Sequence, residues 1–175
     1  RRDGIAMVYQ NLSLVGDLTV WQNVVLGDEG RRVLFLDDAE ARRHARRIVD
    51  GLLPGLDVGK PLFELSPGEM QIVEIAKAIS LEPRLLILDE PTAALEREQV
   101  KNLFSALRDL VGQGVAIVFT SHRLWEVMEI CDEVTIFRNG ENVGNIDFGR
   151  DGKNPEAIVG LITGEAQKAK QAKER

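Results

Sequence analysis

The sequence predicts an α/β fold, a parallel-sheet core that carries a helical insertion. Two apolar runs, LLIL at 85 to 88 and VAIVF at 115 to 119, read as buried strands, each followed by a helix-like stretch. Strand and helix alternate from residue 81 onward, while residues 12 to 80 are mostly helical in pattern.

The elements follow in order. IAMVY at 5 to 9 predicts a strand that ends at Gln10. The loop NLSLVGDLTV comes next, with a helix start at Thr19. Over 37 to 53, Ala45, Ile48, Val49 and Leu52 recur at helical spacing, and Pro54 and Gly55 stop the helix. LSPGE at 65 to 69 opens a second amphipathic helix with Ile72, Ile75, Ala76 and Ile79 on one face.

After the LLIL strand, Val100, Leu103, Phe104, Leu107 and Val111 mark a helix that ends in the Gly112 to Gly114 turn. A helix from Arg123 to about Cys131 follows VAIVF. VTIF and ENVGNIDF are then joined by an Asn139-Gly140 hairpin turn. Asn154-Pro155 starts a short helix with Ile158, Leu161 and Ile162, and EAQKAKQAKER closes the chain as a solvated extension. No internal repeat is visible.

Composition narrows the function classes. The 175 residues are 44% hydrophobic and 29% charged, enough for one domain or two small lobes. A net charge of -6 argues against a general nucleic-acid binder. The single cysteine, Cys131, forms no internal disulfide and reads as a small core residue, in keeping with a reducing compartment. The longest apolar runs fall far short of the roughly 18 residues that span a bilayer, and the opening RRDGIAMVYQ has no run of secretory length.

Three constellations carry chemistry. Asp89 and Glu90 stand at the carboxyl end of the LLIL strand, where open α/β sheets bind ligands. Neighbouring acids there can point apart, one to hold a hydrated Mg²⁺ and one to activate a water, which is what phosphoryl transfer needs. The plainer use is to open the turn at Pro91.

Ser66 and Glu69 have the spacing of a capping box with Pro67 at the first helical position. The same helix start, with the small Gly68 in its first turn, is an anion site in kind. The two uses are compatible. His122 follows the second buried strand, at the sheet edge that carries the acids, and could hydrogen-bond a γ-phosphate or a water. His44, inside a charged helical stretch, reads as structural.

Gln10, LSPGE, LLILDEP, TAALE and TSHR stand in an order and spacing that resembles the nucleotide-binding subunits of ATP-binding cassette transporters, from about residue 4 to about residue 164. QNLSLVGDLTVWQNVVLG, MQIVEIAKAIS and SHRLWEVMEICDEVTIFRNG are similar to the bacterial carbohydrate-importer branch, whose ATPases energise monosaccharide uptake. The resemblance implies a P-loop NTPase-like parallel-sheet core. It divides the chain into a core strand with the glutamine loop (1 to 11), a helical subdomain that docks on the permease (12 to 80), an α/β core (81 to 148) and a C-terminal helix with a charged tail (149 to 175).

The resemblance also implies roles. Gln10 contacts Mg²⁺ and the attacking water, Asp89 holds the Mg²⁺ shell, Glu90 is the general base and His122 the switch histidine. Ser66, Gly68 and Glu69 bind the γ-phosphate of ATP held by an opposite subunit, with Glu96 in the loop that couples the two subunits. The family usually carries glycine at Pro67 and aspartate at Glu96. Implied partners are transmembrane permease subunits, a second nucleotide-binding domain and, indirectly, a substrate-binding protein, all at the cytoplasmic face of the inner membrane and without nucleic acid.

A P-loop, G-x-x-x-x-G-K-[ST], is missing from the sequence. The nearest string, PGLDVGKP at 54 to 61, has proline at both ends, where an amide and a hydroxyl are needed. The resemblance then implies a cassette whose N-terminal part, with the P-loop and the adenine-stacking aromatic, lies upstream of Arg1. Such a truncated chain is expected to be inactive alone. Two other readings stay open: a soluble cassette ATPase of DNA repair or translation, and a non-hydrolysing module that lends LSPGE to an intact partner.

Overall fold

The computed structural model describes residues 4–26 and 37–164. The closing EAQKAKQAKER segment lies outside the described residues. The chain forms two compact units, one up to Ser121 and one from His122 onward. The division falls inside the stretch that the motif order assigns to one α/β core, 81 to 148.

The first unit is built on a parallel sheet of β1 (Ile5–Val8), β2 (Leu85–Asp89) and β3 (Ala116–Thr120), in that order. The register aligns Ile5, Leu85 and Ala116, then Met7, Ile87 and Val118, along one face. Ala6, Val8, Leu86 and Leu88 alternate with them and are buried on the other. Burial of Leu86 and Leu88, both at 0% exposure, contributes about 2 kcal/mol each.

Helix α4 (Arg97–Gly112) covers the buried face, setting Phe104 edge-on to Phe119 with ring centroids 5.9 Å apart. The opposite face is open, with Ile5 51% and Val118 48% exposed. VAIVF therefore differs from the buried strand its composition predicts. An apolar run reads the same whether one face or both are covered. Val111, at the end of α4, is likewise exposed rather than part of its apolar face.

Among the described residues, three further α-helices belong to the unit: α1 (Val20–Val25), α2 (Asp38–Leu52) and α3 (Pro67–Ser80). Their mutual packing buries Val20, Val24, Ala45, Val49, Leu52, Ile72 and Ile75. α1 starts at Thr19 in a capping box with Gln22, and α2 has Asp37 as its N-cap. Asn23 is wholly buried. Its amide accepts from Val15 N at 2.8 Å and donates to Val15 O at 3.0 Å, closing the loop before α1 onto the helix.

In the second unit, β4 (Glu133–Arg138) and β5 (Glu141–Asp147) form an antiparallel hairpin. Asn139 and Gly140 both have positive φ, at 52° and 82°, as a two-residue hairpin turn demands. Helices α5 (Leu124–Ile130), α6 (Phe148–Asp151) and α7 (Pro155–Thr163) belong to the same unit. Asn154 caps α7 by accepting from the amides of Glu156 and Ala157. Ile136, Ile146, Phe148 and Ile158 make its core, and Cys131 packs against it from the C-cap of α5.

Candidate functional site

Because the sheet is parallel, the carboxyl ends of its strands share one edge. Asp89 ends β2, Glu90 follows it, Thr120 ends β3, and Gln10 stands two residues past β1, exposed. The register pairs Asp89 directly with Thr120. The Thr120 hydroxyl donates to Asp89 Oδ1 at 2.7 Å and accepts from the Glu90 amide at 3.0 Å.

That hydroxyl fixes the Asp89 carboxylate and the backbone of Glu90 together. Glu90 itself adopts φ +45°, a left-handed conformation that a non-glycine residue rarely takes and that costs about 1 kcal/mol or more. The kink turns Glu90 out of the strand's alternation. Asp89 and Glu90 are thus set by different constraints, one by a hydroxyl bond and the other by the backbone.

A second group gathers at the start of α3. Ser66 is its N-cap, Pro67 its first residue, and Glu69 Oε2 accepts from Ser66 N at 2.7 Å. Glu69 N returns the bond to Ser66 Oγ at 3.3 Å. The capping box expected from the spacing is present. Gly68 is buried, and a Cβ there would lie 2.9 Å from Ala94 O and 3.0 Å from Gln99 Oε1. The first turn of α3 is pressed against the loop before α4, at a distance that only glycine permits.

Glu96, the N-cap of α4, donates its amide to Gln99 Oε1 at 2.9 Å. Ser66, Glu69, Glu96 and Gln99 line one open cleft with Asp57 and Lys60. The string PGLDVGKP borders this cleft as a loop between helices, not as a strand-to-helix turn. So Gln10, Asp89 and Glu90 share the sheet edge, and Ser66, Glu69 and Glu96 share the cleft. His122 opens the second unit and is exposed.

In that unit Glu126, wholly buried, is paired with Arg123 Nη1 at 3.2 Å. Burial pushes the Cys131 thiol up, the neighbouring Asp132 charge adds to this, and Lys153 opposes it. That is the opposite of an activated nucleophile. Among the described residues no group of three or more His, Cys, Asp or Glu is arranged to hold a metal.

Residues 1–93 match the family model described as ABC transporter. The chain belongs to the ABC transporter family. A ribose import ATP-binding protein of Burkholderia thailandensis is 44% identical over 162 residues, 92% of this chain and 32% of that protein. Another from Hahella chejuensis is 42% identical over 147 residues, 83% of this chain and 29% of its own length. A putative ribose/galactose/methyl galactoside import ATP-binding protein of Agrobacterium fabrum is 43% identical over 145 residues, 83% of this chain and 29% of its own length.

The chain spans about a third of the length of the curated relatives it matches. Among solved structures, the ATP-binding cassette MJ0796, in a dimer with ADP and Pi, superposes with a TM-score of 0.75 at 24% identity, over 84% of this chain and 64% of that one. An ATP-binding subunit of an ABC transporter gives 0.74 at 23% identity, over 91% of this chain and 68% of that one. These two likenesses establish the ABC cassette fold, the α/β core with helices that the sequence predicts.

Sequence reading missed several residues of this ABC chain. Thr120 was visible only as part of TSHR, and its bridge needs the β2–β3 register to be seen. Ser13, Glu74 and Lys77 bond across more than 60 residues, with no local signal.

Proposed function

We propose that this chain is part of an ATP-hydrolysing subunit that energises import of a sugar through a membrane permease. The observation that carries the reading is the strand-tip pair, with Asp89 fixed by Thr120 and Glu90 turned aside, on the edge where Gln10 also emerges. The 42% to 44% identity to ribose import ATP-binding proteins supports the substrate class.

Glu90 would take a proton from the attacking water, and His122 would hydrogen-bond the γ-phosphate. Asp89 and Gln10 would hold Mg²⁺. One carboxylate and one amide fit that ion, which keeps most of its waters and shares phosphate oxygens. When bound, Mg²⁺ neutralises charge on the transferred phosphoryl group. Ser66 and the amides of the first α3 turn, with Gly68, Glu69 and Glu96 around them, would meet ATP held by a second nucleotide-binding domain. The cleft lined by Ser66, Glu69 and Glu96 supports their acting as one group.

Residues 12 to 80 would dock on permease subunits at the cytoplasmic face of the inner membrane. No helix among the described residues is long and apolar enough to cross a membrane. The sugar would be delivered by a separate substrate-binding protein. Since the sequence holds no P-loop, a second reading is that the chain lends its signature to ATP held elsewhere.

A chimera tests both. This chain replaces the matching third of a ribose import ATP-binding protein, and ribose uptake is followed in cells that lack the native subunit. Restored uptake that is lost in Glu90→Gln supports the importer reading, and failure of a folded, permease-bound chimera to hydrolyse ATP overturns it. The chain mixed with a relative whose signature serine is replaced tests lending in trans by recovery of ATPase.

A further inference from the structure

Ser13, three residues past Gln10, is held by helix α3 from two sides. Glu74 on α3 is 5% exposed, and its carboxylate accepts from Ser13 Oγ at 2.7 Å and from Ser13 N at 3.3 Å. Lys77, one turn on, donates to Ser13 O at 2.9 Å and to Ser13 Oγ at 3.1 Å. Every polar group of Ser13 is thus bonded to one helix. The hydroxyl passes a directional chain from the ammonium to the carboxylate, the kind of charge-assisted bonding that is roughly twice as strong as neutral pairs.

The other end of α3 is the capping box at Ser66 and Glu69. A stretch of three residues reaches at most about 10 Å, so Gln10 is tethered to Ser13 with little slack. β1, from which Gln10 emerges, is hydrogen-bonded to β2 and itself packs against α3. The segment after β1 therefore leaves the sheet and is fixed to the helix within a few residues.

We propose that Glu74, with Lys77, is a positioning residue that fixes the glutamine loop to the signature helix, so that a displacement of Gln10 shifts Ser66 and Glu69 with it. The proposal rests on the reading above for the roles of Gln10 and Ser66, but the strut itself does not depend on nucleotide. A carboxylate is nearly always solvated unless paired, and here its burial is met by a loop 61 residues away rather than by its own helix.

Amide exchange on this chain reads the strut directly. In Glu74→Gln the Ser13 amide is expected to exchange about tenfold faster or more, because an amide acceptor replaces a charged one. Ser13→Ala speeds exchange across residues 11 to 16, and Ser13→Thr restores it, while the α3 amides stay unchanged. Wild-type exchange at Ser13 in a folded Glu74→Gln chain overturns the proposal. If that variant does not fold, Lys77→Met, which removes the donor to Ser13 O and Oγ, is read by faster exchange across residues 11 to 16, and wild-type exchange there overturns the proposal.

A purely structural role is separated by kinetics in the ribose-importer chimera. Glu74→Gln lowers kcat with the KM for ATP unchanged, and adding Gln10→Ala causes no further loss. Additive losses overturn the coupling. A chimera without hydrolysis refutes the transporter reading alone, and the exchange result then decides the strut.

Discussion

Thr120 and Asp89, paired across β2 and β3, are joined by a 2.7 Å hydrogen bond from hydroxyl to carboxylate. The same hydroxyl accepts from the Glu90 amide, so one β3 side chain holds the carboxylate of Asp89 and the backbone of Glu90. Thr120→Val keeps the shape and removes the bridge. It is expected to cost about 1 kcal/mol in urea unfolding of this chain, with Thr120→Ser close to wild type. A Thr120→Val midpoint equal to wild type would mean that the bridge contributes nothing to stability.

Glu90→Gln keeps the size of the side chain and removes its basicity. In the ribose-importer chimera, hydrolysis is expected to fall by roughly 10²-fold or more while ATP binding persists. Turnover near wild type would remove Glu90 from the role of base.

Gly68→Ala places a methyl 2.9 Å from Ala94 O, a backbone atom that cannot swing aside. Overpacking of this kind costs about 1–3 kcal/mol. Denaturant titration of the chain reads the cost, and an unchanged midpoint would show that α3 and the 94–99 loop part freely. The glycine thus has a packing reason within the chain, apart from any contact with phosphate.

Asp151 accepts from Arg150 and from the Asp147 amide, which hold its carboxyl down at about 2 from an ordinary 3.8. A depressed carboxyl stabilises the fold above its unfolded value. The contribution is lost as pH falls from about 4 through about 2. A carbon-detected titration should place the Asp151 midpoint near 2, and Arg150→Ala should raise it toward 3.8. A midpoint that stays put in the variant would assign the shift to the Asp147 amide instead.

What the sequence made legible was local. The helix start at Thr19, the capping box at Ser66, the Asn139-Gly140 turn and the Asn154 cap each rest on contacts within four residues, and all are present. The motif order placed Asp89 at the end of β2 and Gln10 past β1, as found. Long-range relations were not legible. The Thr120 bridge depends on sheet register, and the Ser13–Glu74 bond on how α3 lies against a loop 61 residues away. The open face of β3 escaped because Val118 has the same composition wet or dry. How Glu90 leaves its strand escaped too, since a positive φ has no signature at glutamate.

An apolar sheet face is ordinarily buried against a second layer, so the row of Ile5, Met7 and Val118, with Ile87 between the last two, marks where such a layer would seat.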